Sequence, residues 1–397
     1  MRRLLIRTYT SRLFSSTTPL APEMPLGFTS LPAELLDGIA SHVPVTDLLA
    51  LCRTNQGLCD VSLRWIYHTL SPTTVVCAVK LFKVLASNQA VAAYVRILVI
   101  HLQFDELLKS FIRLMRMALL NLTSLISLKS SSSSFSTVLP FFARTRFPRL
   151  RNCQIPSCAD TLVFLRLHPT LLPLLRDFCG PASLACEVVL HSPIELVTLS
   201  WDRSFDHKQK YHNVLGVFSR MPEPLRVMSN VVNAWDPALL LAIAKHLPHL
   251  TVLAIRKLFT ADPGEGTLKD FYDALKTAIL GLPRLLAISC TQVRGEAPSA
   301  TDLALEFSVV RELGSRSATL QVCTFASNTT WCRVNTNVWY PSAANQSLAE
   351  SEWRVRWLVR SAVETPAEFP GYAEEMEKGV GKVAWAAIID DLSPSAE

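Results

Sequence analysis

Between residues 236 and 288 one plan is written twice, and it restricts what this chain can fold into more than any other feature. Asp236-Pro237 opens an apolar run through His246, and Leu247-Pro-His-Leu250-Thr-Val-Leu-Ala-Ile255 follows it. Asp236 suits the position before a helix, where its carboxylate accepts a backbone N–H, and Pro237 suits the first helical residue, where no N–H is needed. Pro248 ends the helix, and the run behind it reads as a short strand. In the second copy Thr267 caps a helix through Leu280, Gly281 is its C-terminal cap, and Leu282-Pro-Arg-Leu285-Leu-Ala-Ile288 is the strand. Such a helix–strand unit covers its apolar face only with a neighbouring unit, so the pattern predicts a stack.

Fainter copies occur at 121–128, 147–155, 194–199 and 318–323. Leu225, Leu250 and Leu285 are 25 and 35 residues apart, whereas leucine-rich repeats recur at about 20–29. The expected fold class is therefore α/β: an irregular leucine-rich-repeat-like solenoid of alternating helices and short strands over 73–327, following a small all-helical module. The alternative is a compact α/β domain without true repeats.

The helical module is read from 25–72. Leu35, Leu36, Ile39 and Val43 share one face at helical spacing, with Pro32 and Glu34 in the first turn and Pro44 as the stop. Thr46 or Asp47 can cap a second helix that buries Leu48, Leu51 and Cys52. A third helix over 57–70 aligns Leu58, Val61 and Trp65. Gly38 inside the first helix costs about 1 kcal/mol relative to Ala. Three short helices cannot bury much surface among themselves, so apolar residues remain that favour a partner.

The order Leu31-Pro32-x-Glu34-Leu35-x-x-x-Ile39, Val43-Pro44, Asp47-Leu48, Leu51-Cys52-Arg53 and Arg64-Trp65-x-Tyr67 resembles the F-box, particularly that of fungal F-box proteins. The resemblance is close over 27–71 and general beyond. It implies a non-catalytic adaptor: Leu31, Pro32, Leu35, Ile39, Val43, Leu48, Leu51 and Trp65 would lie against a Skp adaptor of a cullin-type (SCF) ubiquitin ligase. The remaining chain would hold an unknown protein target, in the cytoplasm or nucleus.

The rest of the chain narrows this further. Hydrophobic residues make up 49% and charged residues 18%, a composition that builds a core. No basic stripe interleaved with aromatics points to nucleic acid, and Arg96 and Lys245 interrupt or close the most apolar runs before they reach membrane-spanning length. The ten cysteines include no C-x-x-C pair and read as reduced core thiols. Neither Gly264-Glu-Gly266 nor Gly379-Val-Gly-Lys382 completes a phosphate loop, and there is no H-E-x-x-H or G-x-S-x-G, so neither an enzyme nor a cofactor is expected. The basic, Ser/Thr-rich segment 1–24 carries Arg2, Arg3, Arg7 and Arg12. Over 1–22 it reads as a mitochondrial presequence, a disordered tail, or an extension upstream of Met24. The presequence reading leads to the alternative function, a mitochondrial leucine-rich interaction protein with no ligase role. Five of the eight tryptophans lie in 328–397, which reads as a cap on the last repeat; Trp353 and Trp357, four apart beside Arg354, Arg356 and Arg360, are the alternative target-binding patch. The serine run from Ser130 is expected to be a solvated loop.

Overall fold

The computed structural model describes residues 31–101, 109–131, 147–155, 172–189, 192–201, 207–258, 267–292, 299–333, 338–342 and 348–364, with a few positions between 366 and 374. The chain forms two compact units, one of residues 1–180 with 191–193, the other of 181–190 with 194–397. The division falls inside the stretch 73–327. Both units are α/β.

In the first unit, α1 (Ala33–Ala40), α2 (Val45–Leu51) and α3 (Gln56–His68) precede β1 (Thr69–Leu70). Next come α4 (Val75–Ser87), α5 (Gln89–Ala92), β2 (Ile97–Ile100), α6 (Lys109–Asn121), β3 (Ser127–Ser130), β4 (Asn152–Gln154) and β5 (Asp177–Pro181). These five strands lie side by side in chain order, all parallel. In the second unit α7 (Ala182–Val189), β6 (Leu196–Ser200), α8 (His207–Phe218), β7 (Val227–Val232), α9 (Pro237–His246), β8 (Val252–Lys257), α10 (Leu268–Ala278), β9 (Ala287–Gln292), α11 (Ala300–Arg316) and β10 (Val322–Thr324) follow the same plan. Strands β6 to β10 are again parallel neighbours. Then β11 (Thr330–Arg333) and β12 (Trp339–Ser342) pair antiparallel, before α12 (Leu348–Glu364).

A triplet at positions i, i+3 and i+5 is buried at each parallel strand from β2 to β10. In the first unit it is Val95/Leu98/Ile100, Leu125/Leu128/Ser130, Leu150/Cys153/Ile155 and Leu175/Phe178/Gly180. In the second it is Ile194/Val197/Leu199, Leu225/Met228/Asn230, Leu250/Leu253/Ile255, Leu285/Ile288/Cys290 and Leu320/Cys323/Phe325. The strand register stacks the middle members directly, Met228 on Leu253 on Ile288 on Cys323. One backbone rule repeats with them. The carbonyl of Arg226 accepts the N–H groups of Thr251 and Val252, that of Thr251 accepts Leu286 and Ala287, and that of Leu286 accepts Gln321 and Val322. The irregular spacing of 25 and 35 residues thus lies wholly in the helical connections, while the strand entry is constant.

The Leu-Pro signature has a local cause. Leu250 N–H donates to Leu247 O at 3.2 Å and Leu285 N–H to Leu282 O at 3.1 Å, closing turns with Pro248 and Pro283 at the second position. There the proline ring already has the φ the turn requires. Asp236 caps α9 through Ala238 N at 2.9 Å, and Thr267 with Asp270 forms a reciprocal capping box on α10.

Four local expectations are corrected. Gly281 closes a 3-10 turn at Ile279–Gly281. Its role is close approach: a Cβ there would meet Ala244 Cβ at 3.0 Å and its carbonyl oxygen at 3.1 Å. Helix α2 begins directly after Pro44 with no side-chain cap, so Thr46 and Asp47 sit in its first turn. Helix α1 ends at Ala40, leaving Val43 in the connection. Ser130, taken from sequence as loop, is the buried end of β3; 132–134 lie outside the described residues. Among the described residues no helix is long and apolar enough to cross a membrane.

Candidate docking face

The three N-terminal helices make a small core of their own. Leu36 and Ala40 of α1, Leu48 of α2, and Leu58 and Val61 of α3 are its centre, with Leu31, Val43, Leu51, Trp65 and Ile66 packed around it. Trp65 Nε1 donates to Asp37 Oδ1 at 3.1 Å and Arg64 approaches the same carboxylate at 3.6 Å, which ties α3 to α1. The ion pair is largely solvated and adds little; the indole bond and the packing hold the angle. Asn55 caps α3 through Gly57 N at 2.7 Å.

Each of the first two helices carries a second apolar stripe that this core leaves uncovered. On α1, Leu35 is 56% exposed and Ile39 41%; on α2, Val45 is 47% and Leu49 44%. Both pairs are spaced i, i+4, so each forms one line along its helix. Pro32 and Pro44, at the entrances to the two helices, are exposed as well.

The residues expected to dock therefore divide into three groups. Leu35, Ile39 and Pro32 face water. Leu31, Val43, Leu51 and Trp65 are half-buried against the module's own core. Leu48 is 2% exposed and lies wholly within that core, so it contributes no free surface. Sequence reasoning missed Val45 and Leu49. With the helix begun at Thr46 or Asp47, Val45 falls outside it and its i, i+4 line with Leu49 is lost, although Leu48 does turn inward as expected.

The C-terminal aromatics pack among themselves. Trp331 and Trp339 are fully buried, Trp357 sits 6.3 Å from both Phe307 and Trp331, and Phe307 stacks on Phe369 at 4.6 Å. The Tyr372 hydroxyl accepts from Trp339 N at 2.6 Å and donates to Trp339 O at 3.0 Å. Trp357 thus covers its own chain's core. The side chain of Trp353 lies outside the described residues.

Burial pushes the Cys52 thiol up to about 11, with Cys59 beside it adding to the shift, so Cys52 is a neutral thiol at physiological pH. Among the described residues no three of His, Cys, Asp and Glu cluster to hold a metal. What the face offers is apolar area with fixed geometry. No family model matches this chain, and no curated protein matches it.

Proposed function

We propose that the chain is a non-catalytic F-box adaptor whose α1–α2 face binds a Skp adaptor and whose two α/β units hold a protein target for a cullin-type ubiquitin ligase. The observation that carries this reading is the uncovered quartet Leu35, Ile39, Val45 and Leu49, set beside the F-box-like order of residues 31–67. A module with a complete inner core has no folding reason to keep four large aliphatic side chains in water in two helical lines. The recurrent buried triplet with constant strand entry supports a leucine-rich-repeat-like array behind it, since that architecture repeats Leu-x-x-Leu-x-Leu once per unit. In this reading the chain acts by raising the local concentration of its target near the ligase, in the cytoplasm or nucleus.

Leu35 and Leu36 are neighbours with opposite duties, and that separates docking from folding. Whole burial of such a side chain is worth about 1.5–3 kcal/mol, so covering the exposed half of Leu35 and of Ile39 is worth about 2 kcal/mol together. The Leu35→Ala/Ile39→Ala chain is expected to melt with wild type and to bind a purified Skp adaptor about 30-fold more weakly. Binding equal to wild type at an unchanged melting temperature defeats the proposal.

A further inference from the structure

We infer that the outer face of α4 and α6 is a docking surface for an anionic lipid bilayer, independent of the adaptor reading. Charge in this chain is segregated. Residues 61–159 contain 12 Lys and Arg against 2 Asp and Glu, a balance of +10 in a chain whose net charge is +6. The two acids, Asp105 and Glu106, lie in the segment before α6, outside the described residues. Helices α4 and α6 themselves contain five cations and no acid.

The two helices form one platform. Phe82 meets Phe111 edge to face at 5.7 Å, and Leu81, Leu85 and Met115 are buried with them. Asn121 at the end of α6 donates to the carbonyls of Leu85 and Ala86 at the end of α4, at 2.9 and 3.1 Å, so the helices run parallel. Opposite that seam, Val76 is 63% exposed, Val79 38%, Met117 49% and Leu120 52%. Lys80, Lys83, Arg113 and Arg116 stand among them on the same faces and are exposed too.

The composition of this surface selects its occupant. Protein interfaces are enriched in aromatics and depleted in Lys, and this outer face has three exposed lysines, Lys80, Lys83 and Lys109, and no aromatic. Single-stranded nucleic acid is held by aromatic stacking, and aliphatic side chains projecting among the cations obstruct a close approach to phosphates. Aliphatic tips among Lys and Arg, with no acid among the residues of α4 and α6 to repel lipid phosphates, match a surface resting in the headgroup layer. Long basic stems keep their charge at headgroup level while the aliphatics enter the acyl boundary.

The test is sedimentation of the full chain with vesicles of 70% phosphatidylcholine and 30% phosphatidylserine, against phosphatidylcholine alone. The expected result is binding to the anionic vesicles that falls as salt is raised. Lys80→Gln with Lys83→Gln weakens it about 25-fold, at about fivefold for each cation. Val76→Ser with Leu120→Ser weakens it with the salt dependence kept. Equal binding to both vesicle types, or none, overturns the inference. Binding undiminished by Lys80→Gln, Lys83→Gln, Arg113→Gln and Arg116→Gln together also overturns it, since a contact elsewhere in the chain would then carry the binding. So does retention on duplex DNA that competes with the vesicles and is lost in the same variant.

Discussion

Glu306 gives the sharpest quantitative test of the second unit. It projects from α11, is 2% exposed, and accepts from Ser327 N at 2.9 Å and Ser327 Oγ at 2.6 Å. The indole N–H of Trp331 lies near the carboxylate without forming a hydrogen bond of good geometry, so Ser327 carries the contact. The turn held in this way contains Asn328 at φ 59° and leads β10 into β11, where the strand direction reverses. Loss of hydration pushes the Glu306 carboxyl up to about 7 from 4.5, and the Ser327 bonds offset only part of that shift. A raised folded-state value means that the folded chain holds a proton the unfolded chain has already lost. Stability from this group is therefore full below pH 4.5 and lost as pH rises through 7. The difference is about 3 kcal/mol in all, most of it between pH 5 and pH 8. Glu306→Gln keeps the shape and an acceptor for Ser327 N, and Ser327 Oγ can turn its hydrogen to Thr329 Oγ1 at 2.7 Å. Urea unfolding followed by the fluorescence of Trp331 and Trp357 should show wild type losing about 2–3 kcal/mol more than E306Q between those two pH values. Parallel pH profiles for the two proteins would refute the reasoning, because the buried carboxylate would then carry no charge penalty.

Three further outcomes follow from the packing. Leu253→Ala, in the centre of the stacked triplets, should cost about 2–5 kcal/mol in chemical unfolding, while Leu241→Ala on the exposed side of α9 should change it by less than about 0.5 kcal/mol. Gly314→Ala should destabilise by about 1–3 kcal/mol in the same assay, since its Cβ would stand 2.6 Å from Trp339 Nε1 in a filled core. Cys153, Cys290 and Cys323 are buried, and desolvation raises all three thiols, Cys153 to about 12. They should resist an aromatic disulfide reagent in the native protein and react only in denaturant; rapid native labelling of all three would contradict the packing.

Local chemistry was legible wherever it is settled within a few residues. Asp236 and Thr267 cap the helices they were assigned, and Pro248 and Pro283 mark real turns, because an N-cap or a proline turn involves only adjacent backbone. Phase and direction were less legible. Leu35 and Leu36, or Leu48 and Leu49, are chemically alike, and which of each pair turns inward depends on where α3 lies. Gly281 looked like a helix cap and instead admits Ala244 from the neighbouring helix, a contact that no local pattern records.

From the chain alone came the alternation of helix and strand and the apolar character of the first helices, since these follow from side-chain type and short-range spacing. Tertiary structure decided which aliphatics of α1 and α2 stay in water, the division into two units, and the reversal at β11 around a buried Glu306. Burial and strand pairing depend on surfaces brought together from residues far apart, and their free energy exists only once those surfaces meet.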